Sequence, residues 1–151
     1  MLKSSIKSLL PLTLFLKKHS LSCYSQLVEI ATEDTPKQRN RFRINYILSS
    51  LLYGHKVIVT LSAHELQYIP SLVPLFLSAG WLEREVLDLY GLYFCGNLDL
   101  RRILTDYGFS GHPLRKDFPL SGFSEIYYSL DHNRIVVAPI ELAQAYRIFT
   151  V

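Results

Sequence analysis

The residues of this 151-residue chain whose types and spacing could do chemistry gather between Trp81 and Phe123, in the run WLEREVLDLYGLYFCGNLDLRRILTDYGFSGHPLRKDFPLSGF. Glu83, Glu85 and Asp88 come first. Closely set carboxylates suit general acid–base work or metal binding, and Glu85 and Asp88 would face the same way on a helix. Neither has a histidine at i+3 or i+4, the spacing that a helical metal site uses, so a structural role is expected. His112, before Pro113 in a charged neighbourhood, offers a ligand or a proton-transfer group. A hydrogen bond that fixes the local chain is the simpler expectation. His19, His55, His64 and His132 are scattered without spacing logic.

Arg101-Arg102 and Arg115-Lys116, with Tyr107, Phe109 and Phe118 near them, have the ingredients of a single-strand nucleic-acid groove: cations for phosphates and rings for bases. Asp99, Asp106 and Asp117 are interleaved with those bases and cancel much of the potential. Arg–carboxylate pairing at a protein interface fits this mixture better, because the guanidinium fork matches a carboxylate bidentately. No nucleic-acid partner is therefore expected. The sequence has no GxGxxG or Walker-type loop, which leaves nucleotide binding without support. The whole stretch has the chemistry of a docking surface.

The rest of the chain must position that surface. Its length suits one domain, and 49% hydrophobic residues are enough for a sizeable core. A net charge of +3 is too mild to indicate a polyanionic partner. Cys23 and Cys95 stand far apart and read as two thiols rather than a disulfide or metal pair. No apolar run approaches the ~20 residues of a membrane-spanning helix, so any membrane association should be indirect. The first segment is rich in lysine and serine and has no acid before Glu29. It reads equally as a transit peptide, though without arginine, or as a first helix with Leu9, Leu12 and Leu16 at helical spacing.

Tyr24–Thr32 alternates as a strand, with Leu27, Glu29 and Ala31 opposite Val28 and Ile30. Residues 33–40 read as a loop. Phe42–Leu52 and Lys56–Leu61 form a hairpin around Tyr53-Gly54-His55. Pro70 and Pro74 limit 62–79 to one or two helical turns, whose Leu72, Val73, Leu75, Phe76 and Leu77 should cover the sheet. Trp81–Tyr90 reads as the best helix, capped by Ser78 or Gly80 and ended by Gly91. Its stripe is Leu82, Val86, Leu89 and Tyr90, with Glu83 and Glu85 in the first turn and an Arg84–Asp88 pair on the exposed side. Beyond Asn97 the chain looks irregular apart from a helical turn at 100–104. A second hairpin (124–129 with 134–138) follows, then a short helix from Pro139 to Arg147. The expectation is an α+β fold: a small mixed or antiparallel sheet with short helices at 1–96, then a long irregular C-terminal arm and hairpin at 97–151.

The runs EREVLDLYG and DLRRILTDYGFSGHPLRKDFPLSG closely resemble the thirty-kilodalton subunit of respiratory complex I, known in mitochondrial genomes as subunit 9 of NADH dehydrogenase. The close match covers 81–122 and persists more weakly in the hairpins before it and in IVVAPIELAQAYR after it. The wording TDYGFSGHPLRKDFP is similar to the mitochondrial and related bacterial forms. The resemblance implies a non-catalytic subunit of the peripheral arm of NADH:ubiquinone oxidoreductase, on the matrix side of the mitochondrial inner membrane. It would bind no cofactor and hold no catalytic residue or metal. FMN, iron–sulfur clusters, NADH and ubiquinone would be used by the rest of the complex, and the chain would brace chiefly the forty-nine-kilodalton quinone-site subunit.

The family pattern carries over to Glu83, Arg84, Glu85 and Asp88, and to Asp99, Arg101, Arg102, Asp106, Tyr107, Gly108, Gly111, His112, Pro113, Arg115, Lys116, Asp117 and Pro119. Asn97-Leu98 stands where the family usually has His-Pro, and Leu77 where a Pro is common. Residues 12–19 align with the family's first helix, which favours mature structure over a cleaved leader. The competing readings are the equivalent module of a hydrogenase-type or plastid-type complex, and a free nucleic-acid-binding domain.

Overall fold

Alternation builds the sheet. In the computed structural model, which describes residues 1–144, 146 and 147, Phe42, Ile44, Tyr46 and Leu48 point inward from one face of β3 (Phe42–Ser49) and are fully buried. β2 (Gln26–Asp34) and β4 (Lys56–Ala63) flank it antiparallel, and β1 (Leu2–Ser4) adds to β4 in parallel, giving the order β1-β4-β3-β2. The expected alternation fails in β2. A register shift between Leu27 and Glu29 inserts Val28 as a bulge, so Leu27 and Ile30 both reach the core.

The first helix, α1 (Leu9–Lys18), buries Leu9, Thr13 and Leu16, with Leu12 partly buried against the same core. The Thr13 hydroxyl donates to Leu9 O at 2.8 Å, so a polar residue sits there at no loss. Pro11 lies in the first turn, where its missing N–H has no helical partner to lose.

Between β4 and the next helix the chain makes short hydrogen-bonded turns, at 64–67 and at 72–76, in keeping with the one or two turns expected. Leu72 and Phe76 are buried as expected, and Leu77 is exposed instead. A two-residue strand, β5 (Ile69–Pro70), pairs in parallel with β6 (Phe94–Cys95).

Helix α2 (Ala79–Tyr90) starts two residues earlier than expected. Ser78 does not cap it, its hydroxyl donating to Leu27 O at 3.1 Å. Starting at Ala79 moves Glu83 and Glu85 out of the first turn, so the helix dipole is not what holds them. Gly91 ends the helix with φ +75°, its N–H bonded to Leu87 O at 2.8 Å.

The chain divides into two compact units, Met1–Lys116 and Asp117–Val151. Residues 97–116 of the expected arm thus belong to the first unit. In the second, β7 (Ser124–Ser129) and β8 (Arg134–Pro139) form the expected hairpin. Its turn uses Asn133 at φ +48°, a conformation that asparagine tolerates. No helix follows among the described residues, and Pro139 closes β8 instead of opening one; the remainder of that expected helix lies outside the described residues. The α+β class is as expected.

Candidate functional site

The polar residues of α2 face inward. Glu83 and Asp88 are fully buried and Arg84 nearly so, while Glu85 faces solvent. The carboxylates of Glu85 and Asp88 therefore do not share a face, and the expected exposed Arg84–Asp88 pair does not form. Arg84 turns to Asp99 at 3.5 Å, donates from Nε to Arg101 O at 3.3 Å and lies 4.9 Å over the Trp81 ring.

Asp88 gathers the segment 102–105. Its Oδ2 accepts the backbone N–H groups of Ile103 (3.2 Å), Leu104 (2.7 Å) and Thr105 (2.9 Å). Its Oδ1 accepts the Thr105 hydroxyl (2.6 Å) and Arg102 Nη1 (3.1 Å). These bonds replace the helical turn expected at 100–104, since N–H groups aimed at one carboxylate cannot also serve a helix. Burial alone would push the Asp88 carboxyl up, but the Thr105 hydroxyl and the three backbone N–H groups outweigh it and hold the group down at about 2.

The last carbonyls of α2 have no helical partners, and residues 112–115 supply them. His112 Nδ1 bonds Asp88 O at 2.9 Å, Leu114 N donates to Leu89 O at 3.2 Å, and Arg115 Nε donates to Tyr90 O at 2.6 Å. With a carbonyl as its partner, His112 carries its proton on Nδ1. Burial lowers its pKa, the Asp88 carbonyl partly opposes that, and Arg115 and Arg102 lower it further. His112 is thus a hydrogen-bonded strut at the end of α2.

A second network ties the end of this segment to the sheet. Arg41 makes a fork to Asp34 at 2.7 and 2.8 Å, and Lys116 N donates to the same carboxylate at 2.8 Å. Arg41 first, against the cost of burial, holds the Asp34 carboxyl below its ordinary value. Glu65 bridges Arg41 (3.6 Å) and Arg115, and both guanidiniums lie over Phe42, at 5.2 and 5.5 Å. Asp34, Arg41 and Glu65 were not singled out from sequence, where 33–40 reads as a polar loop and only the Arg and acid content hinted at pairing.

Glu83 sits in a different setting. It accepts Ser71 Oγ (2.7 Å), Leu72 N (2.7 Å) and Asn97 Nδ2 (3.0 Å), none of them a cation. Asn97 thus supplies a neutral donor to this carboxylate. Burial pushes the Glu83 carboxyl above its ordinary 4.5, against those three hydrogen bonds. A carboxyl with a raised folded pKa favours the fold below its unfolded value and loses that contribution as pH rises through the folded one. Glu83→Gln is therefore expected to gain stability relative to the parent chain on going from mildly acid to neutral pH. Urea midpoints at the two pH values check this, and equal differences at both would refute it.

Of the residues singled out, Glu83, Arg84, Asp88, Asp99, Arg101, Arg102, Gly111, His112 and Arg115 are joined in these contacts, Gly111 O accepting from Arg102 at 3.0 Å. Arg101 is exposed, its side chain meeting Asp99 at 3.0 Å. Asp106, Tyr107 and Gly108 form a turn closed by Phe109 N to Asp106 O at 3.1 Å, with Tyr107 fully exposed at its corner. Pro113 is half-buried beside His112, and the Lys116 side chain faces solvent. Asp117 and Pro119 are exposed in the second unit. Among the described residues no three His, Cys, Asp or Glu side chains are grouped as a metal site would need, and no helix is long and apolar enough to cross a membrane.

Comparison with known proteins places this arrangement. A family profile described as "Respiratory-chain NADH dehydrogenase, 30 Kd subunit" matches residues 2–124. An NADH-quinone oxidoreductase subunit of Erythrobacter litoralis is 55% identical over 126 residues, 83% of this chain and 50% of that protein. NADH dehydrogenase [ubiquinone] iron-sulfur protein 3 of Oryza sativa is 50% identical over 141 residues, 93% of this chain and 74% of that protein. The mitochondrial protein of the same designation from Candida albicans is 46% identical over 144 residues, 95% of this chain and 52% of that one. The chain thus spans about half the length of the Erythrobacter and Candida relatives. Among solved structures, a trypsin-resistant fragment of Nqo5 matches with a TM-score of 0.57 at 26% identity, over 65% of this chain and 80% of the fragment. The profile match over residues 2–124 and the relatives at 46–55% identity make this protein a member of the family of the 30 kDa subunit of respiratory-chain NADH dehydrogenase.

Proposed function

We propose that the chain is a structural subunit of the peripheral arm of NADH:ubiquinone oxidoreductase, on the matrix side of the mitochondrial inner membrane. In this reading it carries no redox group or catalytic residue. It stiffens the neighbouring chains that hold the clusters and the quinone, chiefly the forty-nine-kilodalton subunit, while the complex moves electrons from NADH to ubiquinone and translocates protons.

One observation supports a bracing role most directly. In the segment 97–116, Arg102 and Arg115 hold carboxylates of the chain itself while Leu98, Leu104 and Tyr107 are exposed. A loop clamped at its base presents such anchors with little ordering cost on binding. The hairpin β7–β8 adds Ile126, Tyr128, Ile135 and Val137, which share one face and are exposed. Two-stranded hairpins are marginal alone, and a partner's surface would complete this one.

Because Arg102 and Arg115 hold carboxylates of the chain itself, charge reversal there cannot report on docking. Reversing either charge would unfold the segment before it reported on docking. Leu104→Ser with Tyr107→Ser touches only exposed side chains and should leave the urea midpoint of the full chain unchanged. The same double substitution is expected to lower the amount of the NADH-oxidising complex on native gels, with activity per assembled complex retained. A normal amount of complex that turns over poorly would move these residues toward the quinone chemistry and overturn the bracing role.

A further inference from the structure

A second apolar surface lies at the end of the first unit where α1 meets the β3–β4 turn. Leu51, Leu52 and Tyr53 of the turn are 72, 72 and 50% exposed, and Leu21 and Phe15 beside it are 76 and 57% exposed. The pieces form one surface. The Tyr53 hydroxyl donates to Ser20 O at 2.9 Å, bringing the turn against the residue before Leu21. The Phe15 ring stacks on His19 at 4.9 Å, and His55 lies against both Tyr24 (4.9 Å) and Tyr53 (5.9 Å). The turn itself is held by Ser50 N to His55 O (2.9 Å) and Gly54 N to Ser50 O (3.0 Å), so these side chains are presented on fixed backbone.

A hairpin turn in water favours Asn, Asp, Ser and Gly. Leu-Leu-Tyr at this place is not part of the first unit's core, whose last member along β3 is Leu48. Contiguous exposed apolar side chains of this number mark an interaction site on soluble proteins. The surrounding charge is of one sign: Lys18 and Lys56 are exposed, and no Asp or Glu occurs in residues 1–28 or 50–64.

We propose that this surface is a second docking site, separate from the 97–116 segment, for an apolar protein segment flanked by Asp or Glu on a neighbouring subunit. Complementary charge selects that partner. A second copy of this chain would set Lys18 and Lys56 against their like and is disfavoured. The inference rests on the reading of the chain as a subunit of a larger complex.

The test places a photoreactive residue at Leu52 in the full chain, expressed in place of the natural one, and adds two variants, Leu51→Ser with Leu21→Ser and Lys18→Glu with Lys56→Glu. Each altered side chain is exposed, so unfolding curves of the isolated variants should overlay the parent's. Illumination of the native complex is expected to join position 52 to one protein of the same band, at a peptide both apolar and acidic. The charge-reversal pair should reduce that adduct at least tenfold, and the serine pair should reduce the assembled band by a similar factor.

Adducts to lipid alone, with loss of binding to phosphatidylserine vesicles in the lysine variants, would make this a membrane-facing surface and overturn the proposal. An adduct to a second copy, or no adduct from a chain that is present in the band, would overturn it equally. If the parent chain never enters the NADH-oxidising band, the subunit reading fails first. The crosslink within whatever assembly it does enter then still decides whether position 52 meets an acidic, apolar peptide.

Discussion

Asp88→Ala is expected to destabilise the first unit by about 3–5 kcal/mol, the usual cost of removing one partner from a buried, hydrogen-bonded charge. Asp88 is fully buried, and its two oxygens receive three backbone N–H groups, a hydroxyl and a guanidinium. Alanine leaves the three N–H groups and the Thr105 hydroxyl without this acceptor, while Arg102 keeps only Gly111 O, and the segment 102–105 has no secondary structure to supply another. Against a total stability of roughly 5–15 kcal/mol, that is a fifth or more. Urea unfolding of the full chain measures it, and a loss below about 1 kcal/mol would mean that the segment is anchored elsewhere.

The same residue sets an acid limb. Its folded pKa, about 2, lies below the ordinary 3.8, so its contribution is complete above 3.8 and is lost as pH falls through about 2. The difference corresponds to about 2 kcal/mol. Asp88→Asn should flatten that limb while retaining part of the geometry. An unchanged acid limb in the Asn variant would assign it to other carboxylates, of which Asp34 is the next with a lowered value.

Gly91→Val is the second large effect. The residue adopts φ +75°, and a Cβ there would stand 2.5 Å from Arg115 Nη2 and from His112 Nε2. Valine therefore meets two costs at once. A left-handed backbone costs a β-branched residue roughly 1–2 kcal/mol or more. The clash drives off the side chains that cap Asp88 O and Tyr90 O, adding about 1–3 kcal/mol for carbonyls left short of donors.

Gly108→Ala is the natural control, since Gly108 has φ +74° with nothing within 4 Å of the Cβ position. It should lose only the backbone part. Hydrogen exchange at the Leu114 N–H, bonded to Leu89 O at 3.2 Å, should quicken in Gly91→Val and not in Gly108→Ala. Equal losses in the two variants would mean that the close approach of His112 and Arg115 to the helix end does not carry stability.

The elements with strong local pattern were legible in the sequence. Alternation at Phe42, Ile44, Tyr46 and Leu48 identified β3 and its buried face, and Gly91 marked the end of α2. Shorter elements were not. β1 spans three residues, too few for a period to emerge, and joins the sheet in parallel with β4, a strand more than fifty residues away. β5 and β6, two residues each, are visible only once Ile69 lies beside Phe94.

The family itself was carried by the run from Glu83 to Gly122, because a long order of Arg, Gly and Pro is specific even where its geometry is unknown. Whether its charges face a partner or the chain's own interior was a matter for the tertiary structure. Asp88 and Thr105 are 17 residues apart, Glu65 and Arg115 50, and Asp34 and Lys116 82. An irregular segment must bond its backbone N–H groups somewhere, and which carboxylate meets them depends on how the helix rotates to bury Val86 and Leu82. Residue types alone determined that this chain carries a dense set of donors and acceptors; packing of α2 on the sheet decided that they serve its own fold and leave apolar side chains, Tyr107 and Leu104 among them, for contact outside it.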